Sequence, residues 1–476
     1  MIDIPKLSRR DLVKQTSCLA VTAASAGCLP KPATQRLVAE KADVWLGVDR
    51  RHGKIPGIVF NGQFPGPTLT LRQHQTTPVE VVNILDEPLS IHWHGLRVVN
   101  DQDGVGGLTQ PSIQPGGTHT YHLNSPDAGT FWYHPHVNSF LQIAQGLFGP
   151  LLVTGENEPA FASDHVFVHS EAYVRKTDRQ FALKQLYDIS NSHFDDRLSF
   201  LELINGALEE HVMLPKGGWN RVRLIAGGPM SGTVVRTENL AAFLIALDGQ
   251  PIPPTSAEEP ITLTAGQRID LAIAAKPNTS AGAIRFALPF NEGNKTAIHV
   301  TFEDGAEAPD TPPHLPENPH LTPVLEGAAR ERITMSAANP KLIDTFTALG
   351  AALGDAFKVP KQFWALNDQA MPEQYQEILC QQLKPLFTLK RGQTCVLDIV
   401  NTTDEGHPFH LHGHSFTCLS PRDAIAGKAP VRDTVNVPPG ETTKVAFVAD
   451  NPGDWMVHCH HVGHQAQGMM GWFAVT

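Results

Sequence analysis

The chain has 476 residues, 41% hydrophobic and 18% charged, enough for two to four domains with sizeable cores, so a single small module is excluded. The formal net charge is −11 and no Lys/Arg-rich run occurs, which removes the electrostatic footprint that binding to nucleic acid requires. Glycine (39) and proline (38) are frequent, as in a turn-rich protein of many short strands, so the expected class is all-β.

The N-terminus reads Ser8-Arg9-Arg10-Asp11-Leu12-Val13-Lys14 and continues into an Ala-rich, mildly apolar stretch from Cys18 to Pro30. Paired arginines before such a stretch resemble a twin-arginine export signal, so an exported, periplasmic protein is expected. Ser25-Ala26-Gly27-Cys28 loosely resembles a lipoprotein box, with serine where a larger aliphatic residue is usual, which leaves lipid attachment at Cys28 open. No other run approaches 18 apolar residues, so no integral membrane segment is expected.

From about residue 40, short β-type runs alternate with Gly and Pro: Val44 to Val48, Thr68 to Leu71, Val79 to Ile84, Thr118 to Leu123, Thr130 to Tyr133 and Leu151 to Val153. A second block has strand candidates at Arg221 to Ile225, Thr233 to Arg236, Phe243 to Leu247 and Arg268 to Ala274. A Pro-, His- and Glu-rich stretch without apolar periodicity follows and reads as a linker. The third block contains an Ala-rich, helix-compatible piece from Lys341 to Phe357 and returns to strands from Phe387. Asn61-Gly62, Asn205-Gly206 and Asn367-Asp368, each followed by a strand, form a weak internal repeat that argues for three equivalent units. The organisation expected is a leader at 1–36, β-sandwiches at 37–155 and 156–303, a linker at 304–330 and a third sandwich at 331–476.

Of 23 histidines, twelve fall in four short clusters at 92–94, 134–136, 407–414 and 458–464. Histidine is the commonest metal ligand, and such clustering has no packing rationale. Side chains alternate along a strand, so His-x-His places both imidazoles on one face. His92-Trp93-His94, His134-Pro135-His136, His410-Leu411-His412 and His458-Cys459-His460 all have this form, giving eight imidazoles, about right for three ions. The same parity turns Cys459 away from its neighbours, toward a second site. His407, at an odd offset from His410, turns the same way, and His464 and Met469 lie far enough beyond Cys459 to loop back over it. Two His, one thiolate and a weak axial Met make up the ligand set of a blue-copper electron-transfer site. His414 and His461 read as supporting or surface residues, and His119, His122, His165, His169 and His193 as solvated or core side chains.

These segments carry a family resemblance. His92-Trp93-His94-Gly95, Trp132-Tyr133-His134-Pro135-His136, His407-Pro408-Phe409-His410-Leu411-His412-Gly413-His414 and His458-Cys459-His460 through His464 to Met469-Met470 resemble the four copper-binding signatures of the multicopper oxidases, over about residues 40–476. The likeness is to the bacterial laccase branch with three cupredoxin-like Greek-key domains. It implies four copper ions. His407, Cys459, His464 and Met469 would hold type 1 copper, His92 and His410 type 2, and His94, His134, His136, His412, His458 and His460 the type 3 pair. It also implies one-electron oxidation of phenolic or similar small donors coupled to four-electron reduction of dioxygen to water, with copper tolerance through Cu(I) oxidation as the alternative. Two departures stand out. Where bacterial relatives commonly carry an acid after the type 1 histidine, this chain has Gln465, so proton supply is expected to rest on Asp103. With only 8 Met there is no Met-rich insertion of the kind associated with cuprous oxidases. A copper nitrite reductase would be shorter and lack the His458/His460 flank.

Overall fold

The computed structural model describes residues 33–46, 54–177, 180–181, 198–229, 232–287, 296–337 and 364–476. The segment expected to be an export signal, with Arg9, Arg10 and Cys28, the Ala-rich piece 341–357 and His193 lie outside them.

Three pairs of sheets organise the described residues. The first pair is four-stranded on both sides. One sheet orders Ile55–Phe60, Gln35–Val44, Thr77–Asn83 and Thr118–Leu123, and the other Leu69–Arg72, Gly149–Thr154, Gly129–Pro135 and Ile91–His94. The second and third pairs are each six strands on five. Strand Thr77–Asn83 buries every second residue, the period-2 signature of a sheet with one face on its core. Each pair encloses its own apolar core, around Trp93 and Phe131 in the first, Leu224 and Ile284 in the second, and Leu397 and Trp455 in the third.

The repeat read from Asn61, Asn205 and Asn367 has a structural basis. All three are left-handed (φ 53°, 49° and 54°), a conformation asparagine tolerates better than other side-chain-bearing residues. Each Oδ1 accepts from a first-strand amide, Val38, Val168 and Thr334, at 2.7, 2.9 and 2.8 Å. Each Nδ2 donates to the carbonyl two residues earlier. That first strand then pairs in parallel with a later one in every unit.

Three expectations need correction. The opening strand is Gln35–Val44; of the expected Val44 to Val48, Trp45 and Leu46 are not strand and Gly47 and Val48 lie outside the described residues, while pairing on both edges holds a polar segment that sequence pattern passes over. The linker is no free tether: the Asn318 side chain bonds Ala128 and Gly249 from the first and second units, and the Pro319 carbonyl accepts from Arg97. Short helices α1 (Ser139–Ala144), α2 (Gln376–Gln382) and α3 (Val462–Ala466) were not foreseen, being too short for a 3.6-residue period to register. Cys380, Cys395, Cys418 and Cys459 are all unpaired and buried. No helix among the described residues is long and apolar enough to cross a membrane.

Candidate metal centre

Four strand ends meet where the first and third units face each other. Ile91–His94 and Gly129–Pro135 bring His92, His94 and His134, with His136 just beyond, while His407–Leu411 and Gly453–Cys459 bring His410 and His458, with His412 and His460 just beyond. Parity holds as expected: Trp93 and Leu411 enter the cores of their own units and the flanking imidazoles turn into the shared space. All eight are at most 1% exposed.

The hydrogen bonds fix which ring nitrogen is free. His92 and His410 donate Nδ1–H to the carbonyls of Asp103 (3.0 Å) and Asp433 (2.9 Å). His134 and His458 donate to the carbonyls of Pro135 and Cys459, both at 3.0 Å, and His412 to Asp103 Oδ2 at 2.9 Å. Carbonyls and carboxylates only accept, so these five rings carry their proton on Nδ1 and present a bare Nε2 lone pair. The Nε2 atoms converge: the bare nitrogens of His92 and His410 lie 3.4 Å apart and those of His412 and His458 3.0 Å apart, with His136 Nε2 3.5 Å from His458 and His460 Nε2 3.4 Å from His134. His94 is reversed. Its Nε2 meets Asp433 Oδ1 (3.2 Å) and Thr434 Oγ1 (3.1 Å), leaving its buried Nδ1 without a hydrogen-bond partner. Lone pairs aimed at lone pairs repel unless a cation lies between them, so this donor set fits metal ions.

Burial, reinforced by repulsion among neighbouring rings, pushes His94, His134, His136, His412, His458 and His460 well below the usual histidine range. They stay neutral near pH 7, the state that coordinates.

On the opposite face, Cys459 Sγ lies 3.5 Å from His407 Nδ1 and 3.9 Å from His464 Nδ1, and those two nitrogens are 3.1 Å apart. Burial lowers His407 to about 4 and pushes the Cys459 thiol up, so a bound cation there must displace the thiol proton. The Met469 backbone closes the loop, its carbonyl accepting from Cys459 N at 3.0 Å and its N–H donating to the His464 carbonyl at 2.9 Å. Met469 shares the core around Cys459, whereas Met470 packs into a separate cluster with Met371 and Cys380. Trp364 covers His464, with ring centroids 4.2 Å apart.

Asp103 is fully buried, and its carboxylate addresses His412 Nδ1 and, at 3.3 Å, His92 Nδ1. Gly104 permits this: at φ 80°, with the Ile91 carbonyl pressed where a Cβ would be, only glycine lets the loop lie against the His92 strand. His414, read as supporting or surface, is a core residue, packed by Phe447, Trp455 and Phe473 and lowered to about 4 by burial. His461 stacks on His464 at 3.7 Å and accepts from its backbone N–H.

Asp433 and Arg268 were missed from the sequence. Arg268, from the second unit, grips Asp433 with two bonds of 2.8 and 2.7 Å, and Asp433 in turn holds His94 and His410. Burial alone would raise the Asp433 carboxyl, but Arg268 and His410 hold it well below the usual range. The pair is 165 residues apart, so no local spacing announces it. The second unit is therefore a clamp on the site as well as a spacer.

A family model described as multicopper oxidase matches residues 47–158, and a second of the same description matches 356–476. The chain belongs to the multicopper oxidases, copper-dependent oxidoreductases of three cupredoxin domains, with one type 1, one type 2 and a type 3 pair of copper ions as cofactor. It is 27% identical to the multicopper oxidase MmcO of Mycobacterium tuberculosis, over 87% of this chain and 82% of that one. It is 28% identical to laccase-1 of Botryotinia fuckeliana, over 87% and 77%. Among solved structures it resembles a multicopper oxidase of Pseudomonas thermotolerans, with TM-score 0.79 and 29% identity over 94% of this chain and 99% of that one.

Proposed function

We propose that the protein is a laccase-type oxidase that takes single electrons from phenolic or similar small donors and reduces dioxygen to water. The observation that carries this is the pair of sites sharing one strand end, with Cys459 facing one and His458 and His460 the other. In this reading the three domains are 37–155, 156–303 and 331–476, joined by the linker 304–330 and preceded by an export leader at 1–36. His407, Cys459, His464 and Met469 would hold type 1 copper, His92 and His410 type 2, and His94, His134, His136, His412, His458 and His460 the type 3 pair. Copper held by these residues would supply one-electron chemistry at the type 1 site and the four-electron reduction of dioxygen at the other three ions.

The chain's residues do the rest. The peptide and side-chain bonds from Cys459 to its two neighbours give electrons a short covalent route. Asp103, Asp433 and the carbonyls of Pro135 and Cys459 lock the ring orientations. Trp364 and the surrounding core exclude water from the sulfur ligand. Glu405, 3.2 Å from His464 Nε2 with its side chain 40% exposed, offers a proton acceptor to a donor hydroxyl at the outer edge.

Dioxygen uptake measured side by side with a phenol and with Cu(I) tests the reading. A higher kcat/KM for the phenol is expected; the reverse order makes the protein a metallo-oxidase. Met469→Leu is expected to keep the blue colour and raise the type 1 potential. A thioether donor stabilises the oxidised ion more than the reduced one, and its loss amounts to roughly 60 mV, a tenfold change in a one-electron equilibrium constant. An unchanged potential on redox titration would remove Met469 from the ligand set.

A further inference from the structure

The second unit carries none of the copper ligands above, yet one of its sheets gathers metal-ligating side chains on its outer face. The edge strand of its five-stranded sheet, Glu209–Leu214, pairs in parallel with Ala297–Phe302. Val212, Leu214, Ile298, Val300 and Phe302 turn into the core of the unit, so the residues between them face outward. That parity puts Glu209, His211 and Met213 on the outer side of one strand and His299 and Thr301 on the outer side of the next.

His211 and His299 are register partners. Their rings are parallel to within 16°, with centroids 4.7 Å apart, the spacing of neighbouring strands. Glu209 Oε1 stands 3.9 Å from His299 Nε2, with 41% of the glutamate side chain and 33% of the imidazole open to solvent. That separation is too long for a hydrogen bond. Donor atoms held by one ion at about 2.1 Å lie about 3.0 to 3.4 Å from each other, so a side-chain shift of about half an ångström closes the gap round a cation. The His211 ring is exposed and turns about its Cβ–Cγ bond, which brings one of its nitrogens to the same point. Space and charge agree. Ala297 beside Glu209 and Ala283 beside His299 leave room, and Arg285 on the next strand of this face is engaged by Glu238 at 2.6 Å.

We propose that Glu209, His211 and His299 form a further metal site, on the surface of the second unit, that takes one exchangeable divalent cation of borderline softness. Two imidazoles and a carboxylate suit Cu(II), Ni(II) and Zn(II), with affinity highest for Cu(II). Met213, 66% exposed and two residues beyond His211 on the same face, brings a soft thioether within reach and strengthens the preference for copper. Water completes the coordination, so the ion exchanges with solvent, in contrast to ions enclosed by the buried histidine cluster.

Titration of the copper-loaded enzyme with further Cu(II), followed by calorimetry and by the EPR difference spectrum, tests the site. One ion per chain is expected to bind beyond the type 1, type 2 and type 3 coppers, with superhyperfine splitting from two nitrogens. Loss of even a supporting partner of a metal ligand costs about 10- to 100-fold in affinity, so His211→Ala and His299→Ala should each weaken binding at least as much, and the double variant should abolish it. Glu209→Gln should cost less, because an amide oxygen remains. Tm, blue absorption and oxidase rate should stay at their native values in all of these variants. Unchanged binding by the double variant, or no binding of micromolar Cu(II) by the native chain, would overturn the proposal. Should the variants not fold, the native enzyme decides: Zn(II) should slow modification of His211 and His299 by diethyl pyrocarbonate, read by peptide mass, and equal rates with and without Zn(II) would overturn the site.

Discussion

Cys459→Ser is expected to abolish the intense blue absorption and lower oxidase activity at least about a thousandfold, equivalent to about 4 kcal/mol on the barrier. Three coppers should stay bound. The reason is the division of faces along Gly453–Cys459. Cys459 points into the third core with His407 and His464, whereas the cluster imidazoles leave from its neighbours on the other side. Losing the thiolate removes the soft ligand without touching any nitrogen of the cluster. The exchange is nearly isosteric, and the new hydroxyl can meet His407 Nδ1, so the fold should survive. Copper analysis with optical and EPR spectra checks each part: a blue, active variant would exclude Cys459 as the type 1 ligand, and loss of all copper would mean that the two sites do not assemble independently.

Asp103→Asn is expected to slow reoxidation by dioxygen about 10²- to 10⁴-fold, the range for loss of a positioned proton donor, while electron uptake at the type 1 site stays normal. A purely structural Asp103 would turn its carboxylate to the amides of its own turn. Its carboxylate instead faces His412 and His92, with its own N–H bonded to the Asn100 carbonyl. Asparagine keeps one acceptor for His412 Nδ1, and His92 Nδ1 retains the backbone carbonyl of residue 103. Ring orientation is thus preserved and only the titratable proton is lost. Stopped-flow measurement of both half-reactions separates the roles. Normal reoxidation of the copper-replete variant would show that protons arrive elsewhere.

Much of this was legible in the linear chain because it rests on strand parity and local turn chemistry. His-x-His puts two imidazoles on one face wherever a regular strand occurs, and the odd offsets of His407 and Cys459 put them on the other. Asparagine at a left-handed turn marked three equivalent units. Asp103 stood out through the family pattern and its glycine neighbour. What remained hidden depends on contacts between distant segments. Arg268 and Asp433 become partners only when the second unit docks on the third, and neither has a neighbour that signals a buried ion pair. Glu373 meets Ser139 across 234 residues, at the start of a helix that is itself too short to leave a periodic trace. Glu405 reaches His464 only because the Cys459 loop folds back on it. Periodicity and spacing determine which way a side chain points from its own strand, so the sequence alone sorted the candidate ligands onto two faces. Which charged groups stand behind those ligands, to lock their rings and bring their protons, was decided by the packing of three sandwiches against one another.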